Sequence, residues 1–319
     1  MNILVTGCAG FIGSNFVRYI LNKYPEYKVM NLDKLTYAGN LDNLKDVEEK
    51  WGSGAVERGE EVRYRFVKGD IADEKLVDEL VKGGWDGSGS ADVKFDAIIN
   101  YAAETHVDRS ITGPREFVET DVLGTLTLLE AVRKYGVGRY IQISTDEVFG
   151  STLEGAFTET SPFMPNSPYS ASKAGADHLC RAYFVTYGVP VIVTHSCNVY
   201  GPYQYPEKVI PLFVTNLIQG KKVPLYGDGL NVREWLYTED HCSAVDAILH
   251  KGRVGEVYNI GSGEEVANVD LTKMILKEFG LEGDAAEAMI DHVPDRLGHD
   301  RRYSIDSSKL RGELDWKPE

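Results

Sequence analysis

Two hydrophobic rhythms alternate along the first half of the chain. NILVTG, KVMNLD, YRFVKGD, FDAIINYAA and RYIQIST are short, nearly continuous apolar runs, as expected of strands buried on both faces. Between them, SNFVRYILNKY and EFVETDVLGTLTLLEAVRKYG carry apolar residues at helical spacing. Strands covered on both faces and separated by helices predict a doubly wound parallel sheet with crossover connections, an α/β fold. SPYSASKAGADHLCRAYFVTYG predicts another helix, with Ser167 as N-cap and Pro168 at its first position. VPVIVTHSCNVYG reads as the strand that follows. Beyond about residue 200 the elements shorten and turns such as YGPYQYPEK intervene, which suits a smaller α/β lobe over a cleft. EEKWGSGAVERGEE and KGGWDGSGSAD, rich in Gly and charge, read as exposed loops. The expected division is residues 1–195 for the sheet domain, with parts of the later chain returning to it, and 196–319 mainly for the lobe.

Bulk properties narrow the function classes. The chain has 319 residues, 43% hydrophobic and 26% charged, ordinary values for a globular protein. Its net charge of −15 argues against a nucleic-acid or anionic-membrane partner. An anionic small substrate would need a local cluster of Arg and Lys. No apolar stretch reaches the length of a membrane span, and MNILVTG lacks a charged leader. Cys8, Cys180, Cys197 and Cys242 show no paired spacing and read as buried reduced thiols. A cytoplasmic protein is the expectation.

Three motifs carry chemistry. GCAGFIG places Gly7, Gly10 and Gly13 directly after a strand and at the opening of a helix. Glycines there permit a tight turn and let the backbone approach a pyrophosphate at the helix N-terminus, the Rossmann arrangement. Asp33 ends the second strand about 20 residues further on, where a carboxylate binds a ribose 2′-hydroxyl and favours NAD over NADP. In YSASK, Tyr169 and Lys173 lie four apart and share a helix face. An ammonium beside a tyrosine favours its phenolate, which otherwise needs a pH near 10. STDEVFG ends a strand with Thr145, Asp146 and Glu147 side by side. Adjacent carboxylates repel, which raises one pKa and supplies an acid next to a base.

Together these motifs resemble the extended short-chain dehydrogenase/reductases. The resemblance runs on through DKLTYAGN, GDIAD, AAETHVDRSI, NVYGPYQYPEKVIP, LYGDGLNVREWLYTED and DRLGHDRRYSID. At that density the chain is most similar to the dTDP-glucose 4,6-dehydratases. The resemblance implies NAD, tightly bound and regenerated in each turnover, and a 4-keto-6-deoxy product of the kind used in deoxysugar biosynthesis, the rhamnose pathway included. It implies Tyr169 as base for C4 oxidation with Lys173 beside it, Asp146 as acid at C6, Glu147 as base at C5, and Thr145 on the C4 oxygen. For the cofactor it adds Phe11, Ile12, Lys34, Leu35 and Thr36 near the first two strands. Asp70, Ile71, Ala102, Ala103, Thr105, Thr120, Ser144 and Asn198 extend that set. For the nucleotide sugar it implies His106 facing the sugar, and Lys208, Arg233 and Arg296 on phosphates and ribose. Asn198, Leu212, Pro224, Tyr226, Asn268, His299 and Tyr303 complete that pocket, with Tyr226 as a stacking surface for the base. It also implies a homodimer in which helices 114–135 and 169–187 pair into a four-helix bundle.

Two departures stand out. The family reads Asn where this chain has Asp121, which puts the local hydrogen-bond network in question because a carboxylate accepts but does not donate. The chain also stops soon after LDWKP, where the family continues. The alternatives are a UDP-glucose 4,6-dehydratase, a UDP-sugar epimerase or decarboxylase, and a non-catalytic NAD-binding sensor. Epimerisation moves no proton at C5 or C6 and has no need of Asp146 and Glu147. A sensor has no need of either the Tyr–Lys or the acid–base pair.

Overall fold

The computed structural model describes residues 1–319. Six strands of the first part form as the apolar runs predict: β1 (Asn2–Thr6), β2 (Lys28–Asp33), β3 (Tyr64–Lys68), β4 (Ala97–Asn100), β5 (Tyr140–Thr145) and β6 (Val191–Ser196). Of the shorter strands that follow, β7 (Asn198–Tyr200), β8 (Val223–Tyr226), β9 (Val232–Tyr237), β11 (Glu265–Ala267) and β12 (Ile290–Val293) lie outside the main sheet, whereas β10 (Val257–Ile260) returns to it. The sheet order is β10-β6-β5-β4-β1-β2-β3, and every pairing is parallel. The order of strand addition reverses at β1, with β2 and β3 on one side and β4 onward on the other, and a crevice opens there at the carboxyl ends of the strands.

Alternate residues of each strand feed two cores. Ile3, Val5, Val29 and Ile99 pack on one face with helices Phe11–Lys23 and Thr238–Lys251. Leu4, Met30, Leu32 and Ile98 pack on the other with Leu128, Val132 and Cys180. The smaller lobe has its own core of Phe213, Val223, Leu225, Ile275 and Leu276, built on a β11-β9-β7 sheet and a β12-β8 pair.

Some expectations need correction. EEKWGSGAVERGEE takes in the end of one short helix, Lys45–Trp51, and the whole of a second, Ser53–Glu57, rather than an exposed loop. Val47, Trp51 and Ala55 recur every fourth residue and are buried, an apolar stripe hidden among glycines and charges. VPVIVTHSCNVYG is two strands in different sheets, parted at Cys197. The 114–135 segment is helical but not uniform: Val118–Gly124 is a π-helical turn between Pro114–Phe117 and Thr125–Tyr135. The helix Pro168–Tyr187 begins with a capping box, Ser167 Oγ accepting from the Ser170 amide and Ser170 Oγ from the Ser167 amide. All four cysteines are buried and free. No helix is long and apolar enough to cross a membrane.

Candidate active site

A single cavity of about 500 Å³ lies along the carboxyl ends of the strands and under the smaller lobe. Every site residue inferred from sequence lines it except Leu35.

Its floor is the glycine turn. Gly7 has φ +71°, and a Cβ there would fall 2.6 Å from the Ala102 amide nitrogen. A Cβ at Gly13 would meet the Gly7 carbonyl at 2.8 Å. The helix Phe11–Lys23 starts at Gly10 with no side-chain cap, so its first amides face the cleft unpartnered by the chain, an anion cradle. Asp33 closes β2, buried, with Oδ2 accepting from the Ala9 amide at 2.8 Å and Oδ1 from the Leu35 amide at 2.7 Å. Burial pushes its carboxyl up and the two amides pull it down. Leu35 (φ +58°) is not in the cavity wall and meets Asp33 only through its amide. Lys34 pairs with Asp70 at 2.7 Å. Phe11, Ile12, Thr36, Ile71, Ala102, Ala103, Thr105 and Thr120 finish this half of the cleft.

The candidate reacting centre is assembled from β5 and the helix Pro168–Tyr187. Lys173, 3% exposed, donates from Nζ to the Ile143 carbonyl at 2.7 Å. Tyr169 sits one turn earlier, its hydroxyl pushed well up by burial and then by the charges of Glu147 and Asp121. Thr145 caps the short turn Asp146–Phe149: its Oγ1 accepts from the Glu147 amide and donates to Asp146 Oδ1, both at 3.2 Å. Ser144 turns its hydroxyl to Asp177 Oδ2 at 2.7 Å.

Asp146 and Glu147 occupy unlike environments. Asp146 is 2% exposed and its Oδ2 has no hydrogen-bond partner. Burial holds its carboxyl well above the usual range, and Glu147 and Glu234 add to the rise. Glu147 is half-buried beside three cations, Arg233, Lys208 and Arg296, which oppose the upward push of burial. Burial is the largest influence on both and leaves both carboxyls raised; Glu147 adds to the rise at Asp146, while the three cations hold down the rise at Glu147, so Asp146 is displaced further than its neighbour.

The far end is basic. Lys208 Nζ donates to the Thr105 carbonyl at 2.8 Å. Arg233 donates to the carbonyls of Val232 (2.7 Å) and Asp300 (2.9 Å) and lies over the Tyr303 ring. Tyr303 donates to Asp300 Oδ2 at 2.8 Å. Arg296 makes a two-point ion pair with Asp108 and lies over the Tyr226 ring. His299 holds Asp295 at 2.6 Å, edge-on to Tyr226. His106 stands between Asp108 and Glu207 at 3.9 and 3.8 Å, its pKa lowered first by burial and then by Lys208. Leu212, Pro224, Asn268 and Asn198 line the remaining wall.

The family described as GDP-mannose 4,6 dehydratase matches residues 4–319. A dTDP-glucose 4,6-dehydratase of Streptomyces antibioticus is 49% identical over 323 residues, covering 100% of this chain and 88% of its own. The chain belongs to the dTDP-glucose 4,6-dehydratase family. The low-salt glycan biosynthesis protein Agl12 of Haloferax volcanii is 50% identical, covering 100% of this chain and 94% of its own. DesIV, a dTDP-glucose 4,6-dehydratase from Streptomyces venezuelae solved with NAD and TYD bound, superposes with a TM-score of 0.90. Its identity is 49%, over 100% of this chain and 92% of that one.

Several groups in the cleft of this 4,6-dehydratase family member escaped the sequence reading. Glu104 is 7% exposed, and its pKa is pushed up to about 7, first by burial and then by Asp121. Asp108 and Glu207 partner the cations Arg296 and Arg109. All three sit inside the strings that carried the resemblance, but only the fold shows that they face the cations. The Trp235 indole nitrogen and Tyr37 hydroxyl, also lining the cleft, are buried without partners.

Proposed function

We propose that the chain is an NAD-dependent hydro-lyase that converts dTDP-glucose to its 4-keto-6-deoxy sugar. The carrying observation is the pair at the end of β5: a buried Asp146 whose Oδ2 has no partner, beside a cation-flanked Glu147, in the same cleft as Tyr169 and Lys173.

The glycine cradle, the open helix N-terminus and Asp33 fit NAD, with pyrophosphate on the first amides of the helix and Asp33 on the adenosine ribose. When bound, NAD takes a hydride from C4 and returns it at C6. Tyr169 removes the C4-hydroxyl proton, and Lys173 holds positive charge next to it. Thr145 orients the C4 oxygen. The 4-ketone acidifies the C5–H bond, Glu147 takes that proton, and Asp146 protonates the departing C6 hydroxyl as water. Glu147 then returns the proton to C5. Lys208, Arg233 and Arg296 bind the diphosphate, Tyr226 stacks on the base beside Pro224, and His106 faces the sugar. The walls of Leu212, Asn268, His299 and Tyr303 close this end.

Further elements of the reading rest on the same resemblance. Val118, Leu123, Val185 and Tyr187 are exposed on helices 114–135 and 168–187, which supports a homodimer through a four-helix bundle. A cytoplasmic enzyme supplying deoxysugar synthesis, of which rhamnose is one product, completes it.

The test is incubation with dTDP-glucose, UDP-glucose and GDP-mannose, each assayed for a 4-keto-6-deoxy product. Fastest product from dTDP-glucose supports the reading. Faster turnover of either other sugar nucleotide, or stoichiometric release of NADH, removes it.

A further inference from the structure

We propose that Asp121, through its bonds to Ser172 and to the Glu104 amide, is a positioning residue that sets the pH dependence of C4 oxidation at Tyr169. The inference rests on the dehydratase reading of the cleft. Asp121 lies in the π-helical turn and is 1% exposed. Its Oδ2 accepts from Ser172 Oγ at 2.6 Å, and its Oδ1 accepts from the Glu104 amide at 3.1 Å. Ser172 Oγ also lies 2.8 Å from the Tyr169 carbonyl oxygen. One carboxyl therefore ties the first turn of the catalytic helix to the loop after β4. Both of its partners are donors, so a group that only accepts is fully matched there.

The charges around it are specific. The helix Pro168–Tyr187 presents Lys173 and Asp177 to Asp121. The loop after β4 brings Glu104, which itself faces Glu116, Lys34 and Arg109. Burial pushes the Asp121 carboxyl up to about 6, with Lys173 opposing. Besides burial, the Tyr169 hydroxyl is raised by Glu147, Asp121 and Asp146, and lowered by Thr145. An anion at 121 makes the Tyr169 phenolate harder to form; a neutral group of the same shape does not. Asn fits the site: its oxygen accepts from the Glu104 amide and its nitrogen donates to Ser172 Oγ, which turns its own proton to the Tyr169 carbonyl. Asp121→Asn thus changes charge and keeps connectivity.

dTDP-xylose isolates the step, because it lacks C6 and stops at the 4-ketone. The C4 hydride reduces NAD⁺ to NADH and the hydroxyl proton goes to Tyr169. The measurement is the pre-steady-state rate of NADH appearance against pH for wild type, Asp121→Asn and Ser172→Ala. The phenolate is the active form, so the rate rises with pH. Removing the anion should lower the midpoint by about one pH unit, giving about tenfold faster oxidation well below it with the plateau kept. Ser172→Ala removes a donor that favours ionised Asp121, so its midpoint should move the same way by less. An unchanged or raised midpoint in Asp121→Asn, or an equal loss at every pH, overturns the proposal. No NADH from wild type at any pH overturns the dehydratase reading and this inference with it.

Discussion

Replacing Asp146 by Asn should separate the two halves of the reaction. Asp146 is the acid of the proposed reaction, and burial, the largest influence on it, holds its carboxyl well above its usual range. Asn is neutral and of the same shape, and its oxygen can still accept from Thr145 Oγ1, as Asp146 Oδ1 does at 3.2 Å. Asp146 is the smallest of the influences on the Tyr169 hydroxyl, so C4 oxidation should stay within a few-fold of wild type. What disappears is the proton for the departing C6 hydroxyl. Loss of a positioned general acid costs about 10²–10⁴-fold, or about 3–5 kcal/mol in the barrier. Stopped-flow absorbance should show NADH forming at near wild-type rate and then persisting, while quenched samples hold 4-keto-glucose nucleotide in place of the 4-keto-6-deoxy product. Overall turnover within fivefold of wild type would refute the role given to Asp146, and loss of the NADH phase would show that it acts at C4 instead.

The other expectations are simpler. Tyr169→Phe should abolish C4 oxidation by about 10²–10⁴-fold while the nucleotide still binds, read by NADH absorbance and calorimetry. Asp121 titrates near 6 in the fold against about 3.9 unfolded, so its burial costs nothing below pH 4 and about 3 kcal/mol above pH 6. Asp121→Asn should accordingly gain stability over wild type as pH rises from 4 to 6, measured by chemical denaturation; a constant difference across that range would refute the burial argument. Sedimentation at micromolar concentration should show a dimer, and a monomer would defeat the four-helix bundle.

How much was legible in the sequence varied with the range of the interaction. Local signals worked: Ser167 and Pro168 marked the start of the catalytic helix, and the glycine spacing after β1 marked the cradle. The helices around Trp51 were missed because glycines and charges masked the stripe of Val47, Trp51 and Ala55. The π-turn left no local trace; Gly124 within it packs so close to Ile71 that a Cβ there would fall 2.5 Å from that side chain. The side chains that set the electrostatics come from distant segments. Arg296 meets Asp108 across 188 residues of chain, and Asp121 meets Ser172 across 51. Adjacency alone suggested that Asp146 and Glu147 divide acid from base by repulsion. In the fold, repulsion from Glu147 does raise Asp146, but burial is the larger cause, and three cations from distant segments hold down the rise at Glu147.

Solvent exchange at C5 tests the acid–base assignment most directly. 5-Deuterated dTDP-glucose incubated with wild type should give a 4-keto-6-deoxy product that has lost its label to water, with no net NADH. The Glu147→Gln variant should bind the nucleotide and release no deuterium. Retention of the C5 label in wild-type product, or washout undiminished in Glu147→Gln, would contradict the assignment of the pair at the end of β5.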